Sequence, residues 1–353
     1  MQHISDVRTV HIELTDKCQA QCPMCARNFH GGATRPFIRN GDISLTEFKE
    51  WFPRDFLAQL TNFFAGGNYG DPIFAKDCLE IYAYIRECNP TARLAIHTNG
   101  GMRNPAWWTK LAQYNINVVF GIDGFKGKHE LYRKNTNFDK VIENLTAYCS
   151  AGGIATVDSL VFAHNENEVE ELKTYLLSLG VQSVNFVSTT RFYDMSKYEV
   201  LNENEEVEYT IKPAQSKRFK QTPSKGLNEL ADADIRRVAI EAAKIEPKCA
   251  VRNTVYIDSH GNLFPCPWIG GDYLEEPIKE KLQIDYLRNL CVDSTKKMLK
   301  DIGVPNCKDG VLDNTKILFE RLPEFWQGEH KCLTCVRQCS KIVYDIDNKY
   351  SVG

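Results

Sequence analysis

Six short apolar runs alternate with amphipathic segments over the first 190 residues, and this pattern constrains the fold of the 353-residue chain most. The runs are rich in β-branched and aromatic residues and stop at Gly, Asn or Asp, which is typical of buried parallel strands. Strands are predicted at Thr9–Leu14, Leu60–Ala65, Arg93–His97, Asn117–Ile122, Ala155–Phe162 and Ser183–Val187. Six strand–helix units in series predict right-handed crossovers between parallel strands. We therefore expect an α/β fold, a partial (β/α)6 TIM-like barrel with ligands at its C-terminal strand ends.

The segments between these strands carry helix signals. Ser44-Leu45-Thr46-Glu47 is a capping-box pattern, in which the Ser and Glu side chains satisfy free backbone N–H groups. Pro105 suits a first helical turn, and Gly180 suits a C-cap. The predicted helices cover residues 75–88, 105 onwards, 138–150 and 166–179.

The strand–helix pattern ends at residue 198. Asn202–Glu206 is acidic and Lys212–Lys225 is basic and polar, so a linker or a mobile loop over a site is expected there, followed by a helix at Ala231–Lys244. Two apolar runs flank the turn Ser259–Asn262 and predict a β-hairpin. The predicted segments are a barrel at 1–198, a polar linker and helix at 199–245, and a small α+β domain at 246–353.

Charge and hydropathy exclude some classes of protein. The net charge of −3 does not favour a nucleic-acid surface. No apolar run approaches the roughly 20 residues of a membrane helix, and the N-terminus has no basic segment followed by an apolar core. We therefore expect a cytoplasmic protein that is not embedded in a membrane.

The chain contains 13 cysteines, an odd number, and disulfides are rare in reducing compartments. Cys18, Cys22 and Cys25 lie directly after the first predicted strand. Three thiolates on one loop can bind three corners of a [4Fe–4S] cube, and no fourth cysteine follows at short range, so one iron would be open. Zinc with a remote fourth ligand is the alternative.

Leu14-Thr15-Asp16-Lys17-Cys18, followed by Cys22-Pro23-Met24-Cys25, resembles the signature of the radical S-adenosylmethionine (SAM) enzymes. The resemblance implies that SAM binds the open iron of the cluster. One-electron reduction would then give a 5′-deoxyadenosyl radical, which abstracts a substrate hydrogen. It also implies a low-potential electron donor such as a flavodoxin or a ferredoxin.

Further motifs of this family have counterparts along the chain. Gly66–Pro72 looks like the Gly-Gly-Glu motif, whose backbone and acid receive the SAM amino group, with Asp71 in place of Glu; a plain turn is the alternative. Gly121 stands where the family often has Ser, which would remove a contact to the ribose. The guanidinium of Arg133 suits a carboxylate partner, although a solvent-facing Arg is the other reading. The resemblance implies SAM contacts from Gly67, Gly70, Asp71, Thr98, Asn99, Asp123, Arg133 and Ser159.

A second cysteine set lies in the C-terminal third of the chain. Cys249 and Cys266 bracket the predicted hairpin, and Cys332 and Cys335 follow about 65 residues later. This arrangement resembles the twitch domain, a shortened SPASM extension of radical SAM enzymes, and implies one auxiliary [4Fe–4S] cluster. A structural zinc ribbon is the alternative, and Cys339 either replaces one of the four or is buried. The remaining cysteines are expected to be small hydrophobes: Cys78, Cys88, Cys149, Cys291 and Cys307.

The resemblance implies an oxidoreductase with two [4Fe–4S] clusters and SAM, in which the auxiliary cluster assists electron transfer. Family members with this extension act on peptides or on small molecules, so a peptide is the leading substrate and a sugar or nucleoside is the alternative. A hypothesis of another class is a non-catalytic zinc or iron–sulfur module that binds a partner. It would explain the cysteine pairs but not the glycine turn.

Overall fold

A computed structural model describes residues 4–192, 196–220, 233–276, 283–310, 318–327 and 331–340. The chain divides into two compact units. One is Ile12–Thr222, and the other combines Met1–His11 with Pro223–Gly353. The first unit thus extends beyond the predicted barrel limit at residue 198.

The first unit has the parallel strands that the sequence predicts. Strand β1 (Thr9–Ile12) ends in this unit, where the Ile12 carbonyl accepts a hydrogen bond from the Gly66 amide. The strands that follow pair in chain order, each parallel to the next: β2 (Asn62–Ala65), β3 (Arg93–Thr98), β4 (Ile116–Gly121), β5 (Ile154–Val161) and β6 (Ser183–Ser188). The predicted α/β class and the partial TIM-like barrel are confirmed.

Helices connect these strands, and their ends match the local sequence signals. The helices are α1 (Leu45–Trp51), α2 (Arg54–Ala58), α3 (Cys78–Cys88), α4 (Pro105–Ala112), α5 (His129–Tyr132), α6 (Phe138–Ser150) and α7 (Val169–Ser178). The predicted capping box is present before α1: the Glu47 amide donates to Ser44 Oγ at 3.2 Å, and the Ser44 amide donates to Glu47 Oε2 at 3.0 Å.

Aromatic side chains between the helices and the sheet make up part of the core. Trp108 of α4, Phe120 of β4 and Tyr148 of α6 are fully buried, and the Trp108 ring lies 5.1 Å from Phe120 and 6.0 Å from Tyr148. The Tyr148 hydroxyl donates to the Ile116 carbonyl at 2.5 Å. Burial of such large rings stabilises the packing of α4 and α6 on the sheet.

A β-hairpin occupies part of the stretch predicted as a linker. Strands β7 (Tyr198–Leu201) and β8 (Val207–Ile211) pair antiparallel. The turn between them is an Asx turn, because Asn202 Oδ1 accepts from the Asn204 and Glu206 amides at 2.9 and 3.0 Å. The stretch expected to be a linker or a mobile loop therefore contains two short strands, in which charged and apolar residues alternate.

The second unit contains the predicted hairpin and several helices. Strands β9 (Thr254–Ile257) and β10 (Leu263–Phe264) pair antiparallel, with Leu263 opposite Ile257. The helices are α8 (Ala233–Ala242), α9 (Lys248–Val251), α10 (Pro267–Leu274), α11 (Gln283–Ile302) and α12 (Leu333–Cys339).

Helix α11 was not expected, since only short elements were predicted beyond the hairpin. Its buried residues recur at helical spacing, which is the signal that the sequence offered: Cys291, Val292, Thr295, Met298, Leu299 and Ile302. Of the helices that the structure describes, none is long and apolar enough to cross a membrane.

Candidate functional site

The first three cysteines lie together on the loop after β1. The Cys25 amide donates to the Cys22 carbonyl at 3.0 Å, which closes a turn between the two ligands. Burial raises the pKa of Cys18 well above its usual range, and the charges of Cys22 and Cys25 raise it further. Burial also raises the pKa of Cys22 to about 12. Burial and the repulsion between neighbouring thiolates both favour the neutral thiol. Such thiols lose their protons only when a cationic centre stabilises the thiolates.

The spacing of these thiols is compared with that needed for a single metal ion and for a [4Fe–4S] cluster. In the parts of the chain that the structure describes, no three Cys, His, Asp or Glu side chains converge tightly enough to hold one metal ion. In a [4Fe–4S] cube each cysteine binds a different iron, so the ligand sulfurs are farther apart than around a single ion. Three thiols on one loop can each bind a different iron of such a cube, and zinc with a remote fourth ligand stays the alternative.

The glycine turn after β2 packs directly on the cysteine loop. The Asp71 amide donates to the Lys17 carbonyl at 2.9 Å. A Cβ on Gly70 would lie 1.8 Å from the Thr15 carbonyl oxygen, and one on Gly67 would lie 1.8 Å from the Gly70 carbonyl oxygen. Both positions require glycine because backbone approaches backbone there.

Glu13, which the sequence analysis did not select, holds this turn from the end of β1. Its side chain is buried, and Oε1 accepts hydrogen bonds from the Tyr69 amide at 2.9 Å and from the Asn68 amide. A charged residue inside a predicted buried strand was the available signal, because buried carboxylates are retained only with specific partners.

Asp71 joins the ends of β2 and β3. Its Oδ2 accepts from the Asn99 amide at 2.7 Å and from the Thr98 hydroxyl at 3.0 Å, and its Oδ1 accepts from the Ile73 amide at 3.3 Å. Burial raises the pKa of this carboxyl group. The structure thus gives Asp71 a positioning role, and its direct contact with SAM stays a prediction.

Asn99 connects the end of β3 to the first cysteine. Its Nδ2 donates to Cys18 Sγ at 3.6 Å, while its Oδ1 accepts from Gln19 Nε2 at 2.7 Å and from the Gly101 amide at 2.8 Å. Hydrogen bonds to ligand sulfurs influence the reduction potential of a cluster. Gln19 was missed because a lone polar residue between two cysteines carries no specific sequence signal.

Arg133 is half-buried rather than solvent-facing, and its carboxylate partner belongs to the protein. Its Nε donates to Asp123 Oδ2 at 2.6 Å, and its positive charge lowers the pKa of the Cys22 thiol against the larger effect of burial. A Cβ on Gly121 would lie 2.5 Å from Arg133 Nη2. This packing gives a reason for glycine where the family often has serine.

The remaining predicted SAM contact is on β5. Ser159 is buried, and the amide of its neighbour Leu160 donates to Asp123 Oδ1 at 2.6 Å. Both carboxylate oxygens of Asp123 therefore have protein partners, and Ser159 lies beside them.

His129 supports Asp123 from α5. It is fully buried; the Asp123 amide donates to Nδ1 at 3.2 Å, and Nε2 lies 3.1 Å from the Thr136 hydroxyl. Burial lowers the pKa of His129 from 6.5 to about 4. The neutral ring therefore contributes stability that is present above pH 6.5 and is lost as the pH falls toward 4.

We predict that this histidine makes unfolding pH-dependent. Between pH 7.5 and pH 5, protonation of the unfolded chain at His129 should lower the free energy of unfolding by about 2 kcal/mol. Urea unfolding of the protein and of His129→Gln at both pH values measures this. The variant should lose about 2 kcal/mol less than the parent on acidification, and equal losses would contradict the prediction.

The β7–β8 hairpin covers one side of the cysteine loop. The Tyr198 hydroxyl donates to the Pro23 carbonyl at 3.1 Å, and the Leu201 amide donates to the His30 carbonyl at 2.9 Å. Met24 is buried in a cluster that includes Val200, with Cys22 packed against it. The hairpin therefore shields the thiols from water on this side.

The second unit brings the other four predicted cysteines together. Charge interactions link Cys335 to Cys332, Cys266 and Cys249, and burial raises the pKa of Cys266 above its ordinary value. Cys339 also belongs to this group, since its charge acts on Cys249 and Cys266. Its carbonyl accepts a hydrogen bond from the Glu246 amide at 2.7 Å. Five thiols of the second unit are therefore close enough for their charges to interact.

None of the 13 cysteines forms a disulfide. Burial raises the pKa of Cys149 and Cys291 to about 11 and that of Cys307 to about 12. A neutral buried thiol behaves as a small hydrophobe.

Comparison with solved structures gives matches of low sequence identity. Streptococcus suis SuiB bound to S-adenosylmethionine is 13% identical, with 74% of this chain and 61% of that chain covered, and a TM-score of 0.48. For anSMEcpe with bound AdoMet the identity is 13%, the coverage is 98% of this chain and 99% of that chain, and the TM-score is 0.49. This chain therefore spans less than two thirds of the SuiB chain.

Comparison with protein families gives a match that covers the cysteine loop, the glycine turn and strands β2 to β5. The sequence model of the radical SAM superfamily matches residues 12–179. These are the residues that place Cys18, Cys22 and Cys25 beside Asn99, Arg133 and the glycine turn. Residues 12–179 of this chain form a radical SAM domain.

Proposed function

We propose that this protein is a radical SAM oxidoreductase whose first cluster is held by Cys18, Cys22 and Cys25. The observation that supports this most directly is the position of three half-buried cysteines on one loop inside the matched domain. When bound, the cluster supplies an electron that cleaves SAM, and the 5′-deoxyadenosyl radical so formed abstracts a hydrogen from the substrate.

The residues around the thiols have separate roles in this proposal. Asn99 donates a hydrogen bond to Cys18, and the positive charge of Arg133 favours the thiolate of Cys22. Glu13 fixes the glycine turn, so that the backbone at Gly67 and Gly70 can approach SAM. Because the Asp71 and Asp123 carboxylates already accept hydrogen bonds from the protein, we propose that they position Thr98, Asn99 and Arg133 for SAM, with Ser159 beside the ribose.

The second cysteine set is proposed to hold an auxiliary [4Fe–4S] cluster in a twitch domain at residues 246–353. Cys249, Cys266, Cys332 and Cys335 are the proposed ligands, and Cys339 is the additional thiol beside them. A cluster with four cysteine ligands has no open iron, so its role would be to accept the electron left after hydrogen abstraction. A low-potential flavodoxin or ferredoxin would supply electrons to the first cluster.

Iron analysis tests the two ligand sets. Anaerobically reconstituted protein should bind about eight irons per chain, following two four-iron clusters. Cys18→Ala/Cys22→Ala/Cys25→Ala should bind about four, as should Cys249→Ala/Cys266→Ala/Cys335→Ala. Cys88→Ser, at a half-buried thiol on α3, is the matched control and should keep about eight. A colourless protein with two zincs would instead support the non-catalytic module.

Single variants distinguish the ligands within the five-thiol group. Cys332→Ala should lose the four auxiliary irons, whereas Cys339→Ala should keep about eight irons per chain. Iron and sulfide analysis, with the electron paramagnetic resonance (EPR) spectrum of the reduced protein, measures this. The reverse pattern would assign Cys339 in place of Cys332.

A peptide is the proposed substrate, on the frequency of peptide substrates among family members with this extension. Oxidation of a sugar or nucleoside, or a redox-neutral rearrangement, is the alternative. Incubation of unlabelled SAM with deuterated candidate peptides and aminosugars tests the substrate class. The substrate should transfer deuterium to the 5′ carbon of 5′-deoxyadenosine, and transfer from an aminosugar but from no peptide would contradict the peptide assignment.

A further inference from the structure

Strand alternation and register identify the side chains on the inner face of the sheet in the first unit. Phe120 of β4 packs against aromatic rings of α4 and α6, so its side chain faces the helices. Successive side chains of a strand point to opposite faces, so Val119 and Gly121 face the inside of the barrel. His97 of β3 is opposite Val119, and Asp158 of β5 is opposite Gly121. His97 and Asp158 therefore also face the inside.

Side chains on this inner face are polar and partly exposed, unlike those of a packed barrel core. The inward positions of a closed barrel are filled by layers of branched apolar side chains, and parallel strands normally have both faces covered. Here Thr156 and Asp158 of β5 are half-buried, whereas His97, Asn185 and Val187 are exposed, Val187 by 44%. The inner face is therefore open enough to contact a ligand.

Asp158 places a negative charge on this face with one oxygen unused. Its Oδ1 accepts a hydrogen bond from Asn185 Nδ2 at 3.0 Å, and no other described residue hydrogen-bonds or ion-pairs with the carboxylate. The guanidinium of Arg133, which lies over Gly121, pairs with Asp123 instead. Asn185 thus fixes the carboxylate, while Oδ2 is available to a ligand.

His97 lies two strands from Asp158 and supplies a second acceptor. Two strand spacings amount to about 10 Å, so there is space for a ligand group between the two side chains. The His97 ring lies edge-on to Phe64, with ring centroids 4.7 Å apart, and neither ring nitrogen hydrogen-bonds a described residue. Partial burial lowers the pKa of His97, against a smaller opposing effect of the Asp158 charge. The ring is therefore neutral at pH 7, and one nitrogen can accept a hydrogen bond.

These two acceptors match an ammonium group, which has a positive charge, three N–H donors and no acceptor. A guanidinium would need both carboxylate oxygens for its bidentate geometry, and Oδ1 of Asp158 already accepts from Asn185. The face also lies beside the first cysteine set, because the side chain of Asn99, two residues after His97, donates to Cys18.

Apolar side chains lie one layer nearer the cysteine loop. Leu160 and Val187 are opposite each other and follow Asp158 and Asn185 by two residues, so they share the inner face. Leu160 also packs against a cluster that includes Met24. The aliphatic stem of a lysine can pack on such side chains while its ammonium group reaches a polar partner, whereas the hydroxyls of an aminosugar would be desolvated there.

We propose that the inner face of the barrel binds a lysine side chain of a peptide substrate, with Asp158 as the anionic partner of the ammonium group and His97 as its second acceptor. The inference rests on the proposed function of the first cysteine set, since a substrate held here lies next to the cluster that would cleave SAM.

Binding of small probes to the anaerobically reconstituted full chain tests this inference. The probes are Nα-acetyl-lysine methylamide, its norleucine and arginine counterparts, and glucosamine, and saturation-transfer NMR measures the dissociation constant of each. Asp158→Asn removes the charge at nearly constant shape, and His97→Gln is a second variant. Asp55→Asn, at an exposed residue on α2, is the matched control. The iron content of each protein reports its folding.

The lysine probe should bind more tightly than the other three. Asp158→Asn should weaken its binding by about tenfold or more, because a charged hydrogen bond is lost. His97→Gln should weaken it less, Asp55→Asn should leave it unchanged, and all four proteins should keep about eight irons.

Equal binding of the lysine and norleucine probes, or tighter binding of the arginine probe or glucosamine, would overturn the inference. Formation of 5′-deoxyadenosine by the same protein would show that the proposed function still stands. If Asp158→Asn loses its iron, unchanged binding in His97→Gln would overturn the inference. An iron-loaded parent that forms no 5′-deoxyadenosine would overturn the proposed function and this inference with it.

Discussion

Gly70→Ala is expected to abolish cluster binding at the first cysteine set. The added Cβ would lie 1.8 Å from the Thr15 carbonyl oxygen and 2.8 Å from Asp16 Cα. Both are backbone atoms that lead into Cys18, so no side-chain rotation relieves the clash. The glycine turn must move away from the cysteine loop, and the Asp71–Lys17 backbone hydrogen bond is lost with it.

Iron analysis of the reconstituted variant measures this effect. Iron should fall from about eight to about four per chain, because the second site is untouched. Gly152→Ala is the matched control: it has no atom within 4 Å of the new Cβ and a φ of +82°. We expect that control to cost about 1–2 kcal/mol of stability and to keep its iron. Eight irons in Gly70→Ala would contradict the packing described for this turn.

Arg133→Met is expected to destabilise the protein by about 3–5 kcal/mol, because it leaves the buried Asp123 carboxylate without its cation. The Asp123 side chain is 0% exposed and that of Arg133 is 19% exposed. The variant also removes the positive charge that lowers the pKa of the Cys22 thiol, so loading of the first cluster should fall as well.

The double variant Asp123→Asn/Arg133→Met should recover part of this loss, because no buried charge remains. Lys126→Met is the matched control, because both side chains of the Lys126–Asp139 ion pair are mostly exposed. This variant should lower the free energy of unfolding by at most about 1 kcal/mol. Urea unfolding midpoints compare the four proteins. Equal effects of Arg133→Met and Lys126→Met would show that the buried pair does not carry the stability assigned to it.

The sequence predicts the parallel core of the first unit well, for physical reasons. Strands β2 to β6 are short apolar runs bounded by breakers, and their ends agree with prediction to within two residues. The Ser44 capping box and the β9–β10 hairpin are also confirmed, since each depends on residues close together in the chain.

Features that depend on distant residues were less predictable. The β7–β8 hairpin buries Val200 against Met24 of the cysteine loop, which lies far from it in the chain. Likewise, Gly121 is explained only by the guanidinium of Arg133, which reaches it from α5 and the turn that follows.

The same distinction applies to the candidate site. The spacing of Cys18, Cys22 and Cys25 identifies a three-thiol loop directly. Glu13 and Gln19 acquire their roles only when separate elements meet, and no local motif marks them. The sequence leaves the role of Cys339 open, and its charge effects on Cys249 and Cys266 link it to the second set.

Production of 5′-deoxyadenosine from SAM tests the central claim most directly. Anaerobically reconstituted protein, reduced with dithionite and supplied with SAM, should form this product, and Cys18→Ala/Cys22→Ala/Cys25→Ala should form none while keeping its auxiliary iron. Fully iron-loaded protein that forms no 5′-deoxyadenosine, or equal formation by the triple variant, would contradict the assignment of the first cysteine set as a SAM-cleaving centre.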